Sequence, residues 1–335
     1  MSHSFEQRCL TLLSNLDLAQ AKDVVSIRPL TGGVASDIGV VSLSDRKICV
    51  KFALAKLKVA EDWRAPVHRN KSEYAWLAAA RHCAPENVPQ LFGWSEKDNG
   101  FAMEFLEGKK VYLWKQALLS SAPDRNEAIG VAEVLGRIHA MSAAAGFDRR
   151  PFHNRDDFRA LRLEPYLSFT ASRHPDVQKQ FSGLVDDLYN SDIALVHGDV
   201  SPKNVLFRKG KPIILDAECA TMGDPCFDVS FCINHLILKA AHIPRCAKEL
   251  LASVEGFWKT YAEAVNWEDL SGLEKRIAKL IPALMLARVD GKSPVEYLSD
   301  TERATIRVLA LSLIKQPVEN VPELVSAIAA RIVSE

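Results

Sequence analysis

The sequence predicts an α+β chain of two lobes, a small β-rich one followed by a larger, mostly helical one. Three observations carry this reading. Short β-type segments separated by turn residues crowd into the first hundred or so positions. After Gly108 nearly every segment repeats its apolar residues at helical spacing. Residues 193–218 then break the helical stretch with two apolar, strand-like runs set among acidic and amide loop residues.

The elements follow in order. A helix over 4–18 places Phe5, Leu10, Leu13 and Leu16 at helical spacing. Strands are predicted over 23–30, 34–43 and 47–52, the last two joined as a hairpin by Ser44-Asp45. The alanine-rich stretch 68–82 reads as a helix, and 90–94 with 100–105 as a second hairpin around Asp98-Asn99-Gly100. This divides the chain into a β-rich lobe of residues 1–107 and a helical lobe of 108–335, with a short hinge near 105–110. In the second lobe helices are predicted over 126–145, 155–172, 175–189, 228–241, 244–264, 267–288, 301–315 and 321–333. No internal repeat or low-complexity linker is visible.

Composition excludes several classes of function. The 335 residues, 48% of them hydrophobic, can bury a sizeable core in two lobes. Lys plus Arg and Asp plus Glu both number 42, so the formal net charge is zero and nothing suggests a nucleic-acid partner. No apolar run has the length of a membrane span, so no membrane partner is expected. The seven cysteines, Cys9, Cys49, Cys83, Cys219, Cys226, Cys232 and Cys246, contain no CxxC pair and so suggest no zinc site. Their odd number, with no signal peptide read at the start, predicts reduced thiols and a cytoplasmic protein. Oligomeric state is not legible.

The most informative run is LVHGDVSPKNVLFRKGKPIILDAE, from Leu195 to Glu218. His197, Gly198 and Asp199 stand five residues before Asn204, and the run closes on Asp216 and Glu218. Asp and Asn are common in turns, and a single histidine is more often structural than catalytic. The ordered set between two strand signals is harder to reach by chance. Its H-x-D-x-x-x-x-N spacing, followed by a further Asp, suits the positioning of a hydroxyl, a metal ion and a phosphate.

HGDVSPKNVLF, ILDAE and the GDPCFDVSF run from Gly223 to Phe231 resemble the aminoglycoside phosphotransferase and choline kinase superfamily, small-molecule kinases with a protein-kinase-like fold. The resemblance covers nearly the whole chain. It implies that Asp199 orients the acceptor hydroxyl, that Asn204 and Asp216 hold Mg²⁺, and that ATP or GTP is co-substrate. Asp216-Ala217-Glu218 departs from the protein-kinase D-F-G and is similar to the D-x-E of methylthioribose kinase and choline kinase, which makes Glu218 a further metal ligand or a support for one. Ser201 stands where protein serine kinases carry a lysine two residues past the catalytic Asp, with Lys203 beyond it, an argument against protein-kinase activity. The resemblance also implies that His197 braces the loop and that Asp228 hydrogen-bonds its backbone, although Asp228 fits an N-cap equally. His139 reads as structural.

On the nucleotide side, 30–39 is a loose glycine turn that on its own would be read as a β-turn. By resemblance Gly33 and Ser36 become phosphate-loop residues, with Asp37 an unusual residue at its position. Alternation along Ile48-Cys49-Val50-Lys51-Phe52 sets Lys51 opposite Val50 and Phe52; a solvent-facing lysine fits as well as a phosphate ligand, and the resemblance selects the latter. Glu73 is the preferred carboxylate partner, Glu61 the alternative. Glu104 and Leu106, in a hinge-like segment, are implied to bind adenine through backbone groups.

The acceptor side is less legible. Arg162 and Arg288 are candidate substrate residues, though a helix C-terminus favours basic residues without any ligand. Trp258, Tyr261 and Trp267 could form a cation cage, but core packing explains them. The expected acceptor is a small sugar-like or other neutral hydroxylated metabolite, with an aminoglycoside or a choline-type amino alcohol as the alternative. A catalytically silent nucleotide-binding regulator is the reading from another class. The presence of Lys51, Asp199, Asn204 and Asp216 together disfavours it.

Overall fold

The computed structural model describes residues 4–30, 36–56, 66–120 and 126–333. The first lobe is a five-stranded antiparallel sheet, with β1 (Val24–Leu30), β2 (Ser36–Leu43), β3 (Lys47–Ala53), β4 (Leu91–Ser95) and β5 (Gly100–Glu104) in the order β1-β2-β3-β5-β4. Helix α1 (Phe5–Asn15) precedes it and α2 (Arg69–Cys83) crosses between β3 and β4. The period-two alternation of β3 decides what each face meets. Ile48, Val50 and Phe52 are buried with Cys9, Leu12 and Leu13 of α1, whereas Cys49 joins the large core that contains Trp76 and Leu77 of α2. Lys51 shares the Cys49 face, so strand geometry turns it away from α1 and towards the second lobe.

Chain continuity passes from one sheet to another between β5 and β6 (Val111–Leu113), since β6 pairs with strands of the second lobe. That lobe is mostly helical: α3 (Trp114–Leu119), α4 (Glu127–Ala143), α5 (Arg155–Phe158), α6 (Phe169–Arg173), α7 (Gln178–Asn190), α8 (Cys226–His242), α9 (Ala247–Ala262), α10 (Leu270–Asp290), α11 (Asp300–Lys315) and α12 (Val321–Ile332). Helix α8 is buried continuously from Cys226 to Ala240 and forms the centre of the lobe, packed against α9 and α10. Two small antiparallel sheets hold the loops between: β7 (Ala194–Val196) with β10 (Thr221–Gly223), and β6-β8-β9 with β8 (Val205–Arg208) and β9 (Lys211–Ile214).

The predicted helix over 155–172 is interrupted. Residues Arg159–Ser168 form a wide π-helical segment between α5 and α6, with Pro165 inside it. Proline has no N–H to give the carbonyl four residues back, so the α ladder cannot run through it. That carbonyl belongs to Leu161, and the Arg162 guanidinium donates to it at 2.7 Å. Among the described residues no helix is long and apolar enough to cross a membrane.

Candidate active site

The loop between β7 and β8 carries His197 to Asn204. Gly198 has φ +79°, and a Cβ there would lie 2.8 Å from the Cys219 Cβ, so conformation and space both call for glycine. Asp228, at the start of α8, clamps the loop by accepting from the His197 N–H at 2.6 Å and the Gly198 N–H at 2.8 Å. His139 meets the same carboxylate at 3.4 Å and the Tyr261 hydroxyl at 2.7 Å. The His197 ring lies edge-on to Trp76 at 4.7 Å, with Nε2 3.0 Å from the Leu215 carbonyl. Burial holds its pKa below the ordinary histidine value, against the pull of Asp228. Since Nδ1 accepts from the Asp199 N–H at 3.1 Å, the neutral ring carries its proton on Nε2 and donates it to Leu215.

Asp199 is buried and still ionised. Burial raises its pKa, but Lys203 at 3.0 Å and Arg162 at 2.9 Å outweigh this and hold it below the usual carboxylate range. Both cations sit on Oδ2. Among the described residues, Oδ1 receives only the Ser201 hydroxyl, at 3.3 Å. Asn204 donates its amide to the Asp199 carbonyl at 3.1 Å, which leaves Oδ1 of the asparagine as its free ligand atom.

Above the loop, the two lobes meet through charge. Lys51, 2% exposed, contacts Glu73 of α2 at 2.7 Å, Glu218 at 3.3 Å and, most closely, Asp216. Burial would lower its pKa, but Asp216, Glu73 and Glu218 together drive it well above the ordinary lysine value. Burial pushes Glu73 up, against the attraction of Lys51, and Asp216 is held low by Lys51 and Lys203 despite burial. Asp216 adopts φ +72°, an uncommon conformation for a non-glycine residue. Glu218 is further held by Arg69 at 2.8 Å and by the Ser36 hydroxyl. One oxygen each from Glu73, Asp216 and Glu218 lie within 4.8 Å of one another, a hard, anionic donor set suited to a divalent cation. Lys51 and Arg69 pair with these carboxylates directly, and Lys203 acts on Asp216 from the loop below.

Sequence expectation and geometry meet unevenly. Lys51, Glu73, Asp216 and Glu218 converge on one point, while Asp199 and Asn204 lie on the loop beneath. Ser36 reaches Glu218 through its side chain, a contact not anticipated for a phosphate-loop residue. Gly33 and the alternative Glu61 lie outside the described residues. Asp37 pairs with Arg8 of α1 at 3.1 Å. The Glu104 N–H is taken by the Gln90 carbonyl at 2.8 Å and its carboxylate contacts Arg208, while Leu106 lies in the irregular segment just beyond β5. Tyr261 is fully buried and Trp258 nearly so, the packing role expected of them.

Arg162 and Arg288 come together at Tyr166. Arg162 Cζ lies 6.0 Å from the ring centroid and Arg288 Cζ 5.6 Å, with Arg288 Nη1 3.3 Å from the phenol oxygen. Arg162 also contacts the Gly198 carbonyl and Asp199, so it belongs to the catalytic loop's surroundings. Arg69, Lys203 and Tyr166 are site residues that sequence reasoning left unassigned. For Lys203, the i,i+4 spacing from Asp199 was the available signal. Arg69 had none, since its partner lies 149 positions away.

A small antiparallel sheet above a mostly helical lobe, with a buried lysine–carboxylate cluster and an aspartate loop at their junction, defines a kinase-like fold. The family model described as the phosphotransferase enzyme family matches residues 26–271, and the chain belongs to that family. Methylthioribose kinase of Pectobacterium atrosepticum is 24% identical over 226 residues, covering 59% of this chain and 56% of that protein. The chain thus spans about half the length of the curated relative it matches. Among solved structures, an ethanolamine kinase of Plasmodium vivax superposes with a TM-score of 0.58 at 10% identity, covering 95% of this chain and 93% of that one. An amicoumacin kinase in complex with AMP-PNP and Ca²⁺ gives 0.53 at 13% identity and covers 90% of each chain. These likenesses show the shared fold.

Proposed function

We propose that the chain transfers the γ-phosphoryl group of ATP or GTP to a hydroxyl of a small, sugar-like metabolite, with Mg²⁺ as cofactor. The observation that carries this reading is the convergence of Lys51, Glu73, Asp216 and Glu218 above a loop that presents Asp199 and Asn204. Asn204 and Asp216 would hold the metal, with Glu218 as a third donor steadied by Arg69 and Ser36. The cation supplies charge neutralisation of the phosphates when bound.

Lys51 serves the α- and β-phosphates, and its ion pair with Glu73 fixes the ammonium on the site side of β3. Gly33 and Ser36 border the phosphates, and backbone groups of Glu104 and Leu106 receive the base. Asp199 Oδ1, the oxygen not claimed by Arg162 or Lys203, accepts the acceptor hydroxyl's hydrogen bond and aims its lone pair. The pairing that keeps Asp199 ionised also makes it a weak base, so orientation outweighs early proton removal. His197 and Asp228 hold the loop in shape. A solved relative bound to AMP-PNP and Ca²⁺ supports a nucleotide and a divalent cation in this fold.

The test is ADP or GDP production by the full chain with Mg²⁺ over a panel of hydroxyl compounds, with ATP and GTP run in parallel. Acceptor-dependent product is expected. Nucleotide binding without turnover across the panel would favour a silent regulator instead.

A further inference from the structure

Beyond Asp199 a continuous line of side chains leads into the second lobe. Arg162 touches Asp199 and lies near the Tyr166 ring, and Arg288 lies near the same ring. Tyr166 packs edge-on to Phe231 at 5.6 Å, and Phe231 edge-on to His235 at 5.3 Å. Phe231, His235 and Lys239 recur every four residues and so share one face of α8. Lys239 Nζ lies 5.1 Å from the Tyr297 ring centroid.

Two cations of this line, Lys239 and Arg288, have no acidic partner among the described residues. Lys239 is 1% exposed; its ammonium meets the His235 carbonyl at 3.4 Å and the Tyr297 ring, and forms no ion pair with a described acidic group. Arg288 is nearly buried, donates to Tyr166 and Ser293, and likewise forms no ion pair; its Nε has no hydrogen-bond partner. The buried Tyr297 hydroxyl also has no hydrogen-bond partner among the described residues. Glu296, whose charge acts on Lys239, is engaged by Lys115. A buried charge without a counter-charge costs several kcal/mol, so such a group either gives up its proton or takes a counter-charge from a ligand.

We propose that Lys239 and Arg288, with the Tyr297 hydroxyl, form an anion subsite, and that the acceptor carries a carboxylate or phosphate in addition to the hydroxyl presented to Asp199. The inference rests on the phosphotransferase reading for the hydroxyl end and replaces the uncharged acceptor that the sequence suggested. Burial, together with Lys115 and Arg288, pushes the Lys239 amine down to about 7, so an arriving anion supplies the partner that restores its proton. Burial, with Lys239 and Arg288 beside it, holds the neighbouring His235 well below the ordinary histidine value. A choline-like or polyamine acceptor would meet repulsion here.

The test is calorimetric titration of the full chain, saturated with Mg²⁺ and ADP, with gluconate and glycerol 3-phosphate against their uncharged counterparts glucose and glycerol. At least one anion is expected to bind ten times tighter than its counterpart or better, and which one does so tells a carboxylate subsite from a phosphate subsite. Lys239→Met, which keeps the length of the side chain, is expected to abolish the preference, and Arg288→Gln to reduce it. Equal binding of charged and uncharged probes by the wild type overturns the subsite, as does an unchanged preference in folded Lys239→Met. Anion binding with no phosphoryl transfer to any hydroxyl compound keeps the subsite and removes the kinase reading. Transfer to choline or glucose at least as efficient as to gluconate does the reverse.

Discussion

Asp199 shows how far one side chain can be read. Its distance from Asn204 and Asp216 along the chain carries the family resemblance, and the role we propose for it at the acceptor hydroxyl comes from that resemblance. Of its two cationic partners, Arg162 was not legible, because it comes from a helix 37 positions earlier, and Lys203 left only its i,i+4 spacing as a signal. Arg69 is a sharper case. It is fully buried, holds Glu218, and donates to the Leu54 and Pro66 carbonyls at 2.8 Å. Arg69→Met is therefore expected to cost about 3–5 kcal/mol in denaturant unfolding, since Glu218 loses its buried counter-charge. A loss below about 1 kcal/mol would mean that Glu218 has other support. His197 supplies a pH signature. Its folded-state pKa lies below the unfolded value of about 6.5. The unfolded chain thus binds more protons between these two values, and stability is lost as pH falls through that window. Unfolding free energies at pH 7 and 5.5 should differ less in His197→Gln than in the wild type.

Elements were legible in proportion to their length. Helices with several turns of apolar periodicity match the structure closely, as at Asp300–Lys315 and Val321–Ile332. The three-residue strands Val111–Leu113 and Thr221–Gly223 and the six-residue helix Trp114–Leu119 escaped, being too short to repeat a pattern. The π-helical segment escaped for a different reason. A proline within an apolar period reads as a kink, but not as the widened turn that sets Arg162 and Tyr166 beside the loop. Pro165→Ala lets the α ladder close and rotates these residues away. It is expected to leave thermal stability unchanged or higher while lowering phosphoryl transfer by up to about 10²-fold, the cost of an ångström-scale misplacement. Unchanged turnover in this variant would show that the wide turn is incidental.

At the scale of the molecule, the lobes are joined by charges and amides rather than by a broad apolar seam alone. Lys51 with Asp216, Arg69 with Glu218, and Arg208 with Glu104 all bridge first-lobe and second-lobe segments. Asn87, between α2 and β4, pins the lobes from behind: its amide donates to the Pro212 carbonyl at 2.8 Å and its carbonyl accepts from the Ile214 N–H at 3.0 Å. A net charge of zero conceals an anionic pole around Glu73, Asp216 and Glu218 and a cationic one around Arg162, Lys239 and Arg288. The site between these poles is where we propose that phosphoryl transfer takes place. The most direct check is ³¹P NMR of Mg²⁺, ATP and the hydroxyl-compound panel with wild type and Asp199→Ala. A new phosphomonoester signal matched by ADP is predicted for the wild type, falling by about 10²–10⁴-fold in the variant while its nucleotide affinity stays unchanged. An ester formed equally by the variant, or none formed by a wild type that binds nucleotide, would contradict the assignment.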